Sequence, residues 1–360
     1  RTKMDKRVDS NLLLDMSGML NDIGFNLDDE LGVANMAEYH YDDGAVYGFP
    51  TKYENSRWIL INEDMFKEAG LDIPYDGWTY SEFLADAEKL THGEDQDKVY
   101  GVCWARKQSG KSILYALDGV LGANQIYKNE EGTEVNFDND VYHAGLNLVK
   151  ETLDKGYAIP IEDEFSEDIS VANTFLQGKC AIMLGVAQMR LCMDQENYPH
   201  DFMTALVPAP VPDDEKYNTE FYRKQIGTTG AGDLLSISAN TKYPEASFEF
   251  AMWYLKGGMS PLVQGGRIPL WNGVNKDEVL SVLKEKAQGS IDMDSMENYL
   301  SLDTTQGVAA IKGHASSEIS SAWFEEFDAM CYGKQSVDQT VQNMEKRGNE
   351  LIQTELSSQK

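Results

Sequence analysis

Two carboxylates facing each other across a cleft are the minimum equipment for breaking a glycosidic bond. Glu54 with Asp233, or Glu54 with Glu325, could supply such a pair. The chain holds 60 acidic residues, however, so candidate pairs arise at almost any spacing and the signal is nearly empty. No Gly-x-Ser-x-Gly elbow, no Gly-x-Gly-x-x-Gly after a strand and no kinase motif set occurs. His40, His92, His143, His200 and His314 are scattered without paired spacing, so neither a metal centre nor a cofactor is expected. The acidic run Glu162, Asp163, Glu164, Glu167 and Asp168 lacks EF-hand spacing and reads as a solvated helix start. Three glycines in Gly227-Thr228-Thr229-Gly230-Ala231-Gly232 invite a phosphate-loop reading. The lysine of such a loop is missing and a strand follows where a helix N-terminus is needed, so a flexible crossing is the better reading. Enzyme chemistry finds no foothold.

The elements that must position any site are clearer. The stretch AVYGFPTKYENSRWILINEDMFKEAGLDIP, residues 45–74, reads as strand, polar crossing, strand and a short helix stopped by Gly70. Thr79-Tyr80-Ser81-Glu82 is a capping box, and Phe83, Leu84, Ala87 and Leu90 make one apolar helix face over 78–91. Further helices are expected over 109–121, 136–156, 244–255 (with Pro244 in its first turn), 276–288 and 336–358. Short apolar runs at 98–104, 179–184, 202–207 and 234–238 read as strands. Helices alternating with such runs predict α/β layers on a mostly parallel sheet. No repeat and no low-complexity linker divides the chain, so two lobes must be interleaved through several crossings.

Length and composition agree with this. A chain of 360 residues, 42% hydrophobic and 10% aromatic, can build two cored domains. No apolar run approaches the roughly 20 residues that a membrane helix needs. The net charge of −29 repels nucleic acid and anionic headgroups, so no nucleic-acid partner is expected. Cys103, Cys180, Cys192 and Cys331 lie far apart with no Cys-x-x-Cys; Cys103 and Cys180 sit in apolar runs that read as buried strands, so small core hydrophobes are expected rather than disulfides.

The words YGFP and KEAG-LD-x-P, followed by GWTYSEFLADAEKLT, resemble the extracellular solute-binding proteins of ABC importers, closest to the sugar-binding group that includes maltose-binding protein. FLQGKCAIMLG, LLSISANTKYPEASFEFAMWYL and YGKQSVDQTVQNMEKRGNELI follow in family order. Each word is weak alone; four in order are strong. The resemblance implies an α/β, two-lobed periplasmic-binding-protein-like (type II) fold. It puts 1–52 with 233–272 in the first lobe and 53–232 with 273–360 in the second, with crossings at 51–55, 230–233 and 271–276. Residues 1–44 match only the stretch before the first crossing, so the first lobe is expected to be incomplete at its N-terminus.

A sugar cleft needs aromatic faces for the C–H side of a pyranose and planar polar groups for its hydroxyls. Tyr53, Trp104, Trp271 and Trp323 stand at crossings, at strand ends or beside further aromatics; for Trp323, site and core are equally open. Trp58, Trp78 and Trp253 sit in regular apolar patterns and are expected in the core. By resemblance the first crossing adds Glu54 and Asn55, the strand end at Trp104 adds Arg106, and Asp233 and Trp271 flank the later crossings. Where relatives often carry a stacking tryptophan, this chain has Ala187-Gln188, a departure that leaves Gln188 as the candidate and argues against an ordinary maltodextrin site.

What the resemblance implies is a monomeric, extracytoplasmic carbohydrate-binding protein, held at the cell surface as a lipoprotein or in the periplasm. Its partners would be the sugar and the membrane permease subunits of an ABC importer. A binder of a peptide or polyamine is the alternative, and a secreted glycoside hydrolase or adhesion protein on the same scaffold is a more distant one.

Overall fold

The computed structural model describes residues 2–36, 39–41, 43–54, 57–104, 126–166, 171–224, 231–301 and 313–358. The helix expected over 109–121 and most of the glycine-rich crossing lie outside these residues. The strands form two sheets. β1 (Phe49–Tyr53), β6 (Ala231–Leu235) and β7 (Ile268–Pro269) make one, ordered β6-β1-β7. β2 (Trp58–Asn62), β3 (Tyr100–Cys103), β4 (Cys180–Leu184) and β5 (Thr204–Pro208) make the other, ordered β3-β4-β2-β5. β1 ends at Tyr53 and β2 begins at Trp58, so four residues carry the chain from one sheet to the other.

β2 shows how a short apolar run builds a two-faced sheet. All five residues of Trp-Ile-Leu-Ile-Asn are buried. Alternate side chains point to opposite faces. Ile59 and Ile61 enter one core with Phe83, Tyr142, Leu146 and Phe327. Trp58 and Leu60 enter a second with Phe175, Leu206, Leu283 and Tyr299. The helices Tyr80–Leu90, Asp140–Asp154, Ser316–Cys331 and Val337–Ser358 cover the first face, while Val171–Leu176, Lys276–Ala287 and Met293–Leu300 cover the second. The three-stranded sheet has a core of its own, built from Met16, Leu20, Leu31, Phe49, Phe248 and Leu270 among others. Gly101 sets the distance between β3 and the first of these helices, since a Cβ there would meet the Ala87 carbonyl oxygen at 2.2 Å.

Local signals translate directly. Thr79 accepts from the Glu82 amide at 3.3 Å and Glu82 returns a bond to the Thr79 amide at 2.7 Å, closing the capping box. Pro244 opens the helix Pro244–Trp253.

Three expectations are corrected. The large sheet is not mostly parallel in its ladders: among the described strands only β3–β4 pairs in parallel, while β2 pairs antiparallel with both β4 and β5. β3, β4 and β5 share one direction, and β2 runs against them because it arrives from the other sheet rather than over a helix. Cys103 and Cys180 are joined in a disulfide across β3 and β4, their Cα atoms 6.3 Å apart. Parallel pairing closes a gap of 77 residues that spacing alone hides. Cys192 stays free and buried, its thiol pushed up to about 12 by burial. Trp253 is 59% exposed, although Trp58 and Trp78 are buried as expected. The helix carrying it turns Phe248, Ala251 and Met252 inward and leaves Phe250 and Trp253 outside.

The last two long helices are tied by a buried carboxylate. Glu326 accepts from Arg347 at 2.6 Å, and from Gln335 and Asn343 at 2.9 Å each. Burial alone would raise its pKa, but the bonds from Arg347, Gln335 and Asn343 hold it below the ordinary 4.5. A depressed folded-state value means that the unfolded chain binds the proton more tightly. The contribution is therefore complete above pH 4.5 and is lost as pH falls below it. Glu326→Ala is expected to cost about 1.5–3 kcal/mol at pH 7, the usual contribution of hydrogen bonds to a charged group. Urea melts at pH 7 and pH 3.5 check this: the difference from the parent should shrink at the lower pH, and an equal difference at both would contradict it.

Candidate functional site

β1 delivers Lys52, Tyr53 and Glu54 to the edge of its sheet, where the chain leaves for the other one. A cavity of about 250 Å³ opens there, lined by these three with Arg267, and from the other side by Arg190 and Tyr299. Tyr53 is half-buried and its hydroxyl donates to the Tyr299 carbonyl at 3.3 Å. The two rings stand 5.2 Å apart, and Tyr299 in turn meets Trp58 at 5.4 Å, so an aromatic column runs from the crossing into the second core. A smaller adjoining cavity, about 70 Å³, shares Tyr53 and adds Trp271, Lys276 and Leu300.

The charged groups are mostly paired. Lys52 bridges to Glu54, both largely covered, and Arg267 bridges to Asp233. Asp233 sits at φ +53°, a left-handed conformation that aspartate tolerates better than most residues, and its carbonyl accepts from Thr51 Oγ1 at 2.8 Å. Trp271 donates its indole N–H to Glu30 at 2.6 Å, which ties the cavity wall to the helix Leu27–Leu31. Gly266, at φ +75°, brings the strand-bearing segment against the helix Met189–Cys192: a Cβ there would meet Met193 Cε at 2.7 Å and Arg190 Cβ at 3.0 Å. Val263 and Ile268 belong to the same core as Met189 and Tyr299, so the segment 260–268 touches both sides of the cleft.

Of the sequence candidates, Tyr53, Glu54 and Trp271 line these cavities, and Asp233 joins through Arg267. Gln188 lies half-buried in the single turn Val186–Gln188, beside the wall but not lining it. Trp104 and Trp323 are corrected to core positions. Trp104 is 4% exposed, donates to Thr152 Oγ1 at 2.9 Å and tilts against Phe83. Trp323 is 1% exposed and stacks on Phe327 at 5.0 Å with a 10° interplanar angle. Asn55 and Arg106 lie outside the described residues. The sequence reading missed Lys52, Arg190, Arg267 and Tyr299. Lys52 and Arg190 stand within two residues of chosen positions, whereas no local motif marks Tyr299, which lies on the helix Met293–Leu300.

The cleft is bounded by two separately cored sheets, with Tyr53 and two ion pairs at its edge. Among the described residues no group of three or more His, Cys, Asp or Glu could hold a metal, and no helix is long and apolar enough to cross a membrane. The chain belongs to the bacterial extracellular solute-binding protein family, whose sequence model matches residues 2–256. It is thus a non-enzymatic solute-binding protein of ABC transport. Solved structures share the fold over nearly the whole chain. A sugar transporter protein from Rhizobium etli, in an open conformation, superposes with a TM-score of 0.70 at 18% identity, covering 95% of this chain and 81% of that one. An ABC substrate-binding protein from Listeria monocytogenes in complex with cycloalternan gives 0.69 at 16% identity, covering 96% and 81%. UgpB from Mycobacterium tuberculosis, in complex with glycerophosphocholine, gives 0.68 at 15% identity, covering 98% and 81%.

Proposed function

We propose that this protein captures a carbohydrate in the cavity at the first crossing and delivers it to the membrane subunits of an ABC importer. In this reading residues 1–52 with 233–272 form one lobe and 53–232 with 273–360 the other. The protein works as a monomer, and the crossings next to β1, β6 and β7 act as the hinge. A ligand that touches both walls favours the closed form by the contacts it makes only there.

The observation that carries this is the lining itself. Tyr53, half-buried at the crossing and backed by the buried Tyr299, offers its ring to the apolar side of a sugar, and the flanking Lys52–Glu54 and Arg267–Asp233 pairs offer donors and acceptors already held in place. At about 250 Å³ the cavity is somewhat smaller than the roughly 300–1,000 Å³ of sites for drug-sized ligands, which favours a mono- or disaccharide unit. Sugars bound by similar structures, cycloalternan among them, support the class of ligand.

Thermal melts against a panel of mono- and oligosaccharides, with peptides, polyamines and glycerophosphodiesters beside them, test the reading. A ligand at a hundred times its Kd stabilises by about 2.7 kcal/mol, which lifts Tm by roughly 3–5 °C for a chain of this length. A rise of that order with a saccharide is the expected result. Rises confined to the non-sugar solutes would overturn it.

A further inference from the structure

The charge of the cavity runs against that of the chain. Acidic residues outnumber basic ones by 60 to 31 overall, yet the charged groups lining the cavity are three cations, Lys52, Arg190 and Arg267, and one carboxylate, Glu54. Lys52 is neutralised by Glu54 and Arg267 by Asp233. Arg190 remains. Its side chain is exposed and makes no ion pair or hydrogen bond among the described residues. Its backbone is fixed on the helix Met189–Cys192 with Gly266 packed against its Cα and Cβ, so the cation stands on a firm wall of the cavity.

We propose that the bound saccharide is acidic, with a carboxylate or phosphate group seated on Arg190. This rests on the carbohydrate reading of the same cavity. A guanidinium presents paired N–H donors in one plane, which match the two oxygens of a carboxylate or of a phosphate. While the cleft is open, water solvates Arg190. Closure over a neutral sugar would strip that water and leave the charge without a counter-ion, which is costly. An anionic group on the ligand removes that cost and gains a charge-assisted bond. The acidic surface does not reverse this preference: charges more than about 8 Å away are largely screened at physiological salt, whereas a direct contact is not.

Titration calorimetry on the whole protein decides the question, with three sets of probes: neutral disaccharides, their uronic-acid counterparts such as digalacturonate, and sugar phosphates such as glucose 6-phosphate with glucose. The acidic form of at least one pair should bind about tenfold or more tightly than its neutral partner, and the two acidic sets separate carboxylate from phosphate. Arg190→Gln should bring the acidic-to-neutral affinity ratio close to one. Arg190→Lys, which keeps the charge and loses the planar fork, should fall between. Neutral sugars binding as well as acidic ones, or an acidic preference that survives Arg190→Gln, would overturn the inference and leave the carbohydrate reading standing. If no saccharide of any set binds, the carbohydrate reading falls and this inference falls with it.

Discussion

Trp104→Ala should lower the free energy of unfolding by about 3–5 kcal/mol, as large aromatic truncations in closed cores do. Trp104 follows β3 directly and is 4% exposed. Its ring lies 5.7 Å from Phe83, which stands 5.0 Å from Trp78, so its removal opens a hole beside two other large side chains. The indole N–H donates to Thr152 Oγ1, and Thr152 donates to the Val149 carbonyl at 2.8 Å, which ties β3 to the helix Asp140–Asp154. Ligand affinity of the folded protein should stay within about twofold, because the side chain faces the core and lines neither cavity. Trp253→Ala should cost less than about 1 kcal/mol, since its ring is 59% exposed and rests on Phe250 and Gly258. Urea melts of the two variants give the comparison. Equal stability losses, or a Trp104→Ala protein that keeps its stability but not its ligand, would reverse these assignments.

That pair of tryptophans shows where sequence legibility ends. Caps and periodicities are local, so Thr79 with Glu82, Pro244, and the buried runs at β2 and β4 can be read from a few neighbours. What covers a side chain is not local. Trp104 looks like a strand-end residue near a ligand until the helix Asp140–Asp154 closes over it with Thr152. Trp253 sits in a string of apolar residues, but Pro244–Trp253 is apolar on more than one side, so the pattern does not pick the face that packs. Strand direction is likewise silent: the residues of β2 are the same whichever way it runs, and only its arrival from the other sheet sets it against β4 and β5. The disulfide between Cys103 and Cys180 depends on that same assembly, because it forms only once β3 and β4 lie side by side. The cleft was half legible for the same reason. Tyr53 and Glu54 are marked by the polar patch between two apolar runs, whereas Tyr299 and Arg267 come from segments more than 200 residues further along.

Tyr53→Ala should weaken saccharide binding by about 30-fold to 1,000-fold. Tyr53 borders both cavities at the point where the chain passes between the sheets, so a ligand in either one meets its ring. A stacked ring contributes roughly 0.5–1.5 kcal/mol beyond its area, and the burial of a large side chain against the ligand adds about 1.5–3 kcal/mol. Together these make about 2–4 kcal/mol, and each 1.4 kcal/mol is a factor of ten in affinity. Tyr53→Phe separates the two roles of the side chain. It keeps the ring and removes the hydroxyl that donates to the Tyr299 carbonyl, a neutral contact worth about 0.5–1.5 kcal/mol, so the loss should not exceed roughly tenfold. Stability should change little by comparison, because the side chain is only half-buried and the strand ladder of β1 with β6 and β7 is made by backbone groups. Calorimetric titration of both variants with the tightest-binding saccharide of the panel, beside urea melts, measures each part. A Tyr53→Ala protein that binds like its parent would mean that the ligand sits away from the first crossing. A Tyr53→Phe protein as weak as Tyr53→Ala would mean that the hydroxyl and its hold on Tyr299, rather than the ring face, shapes the cleft.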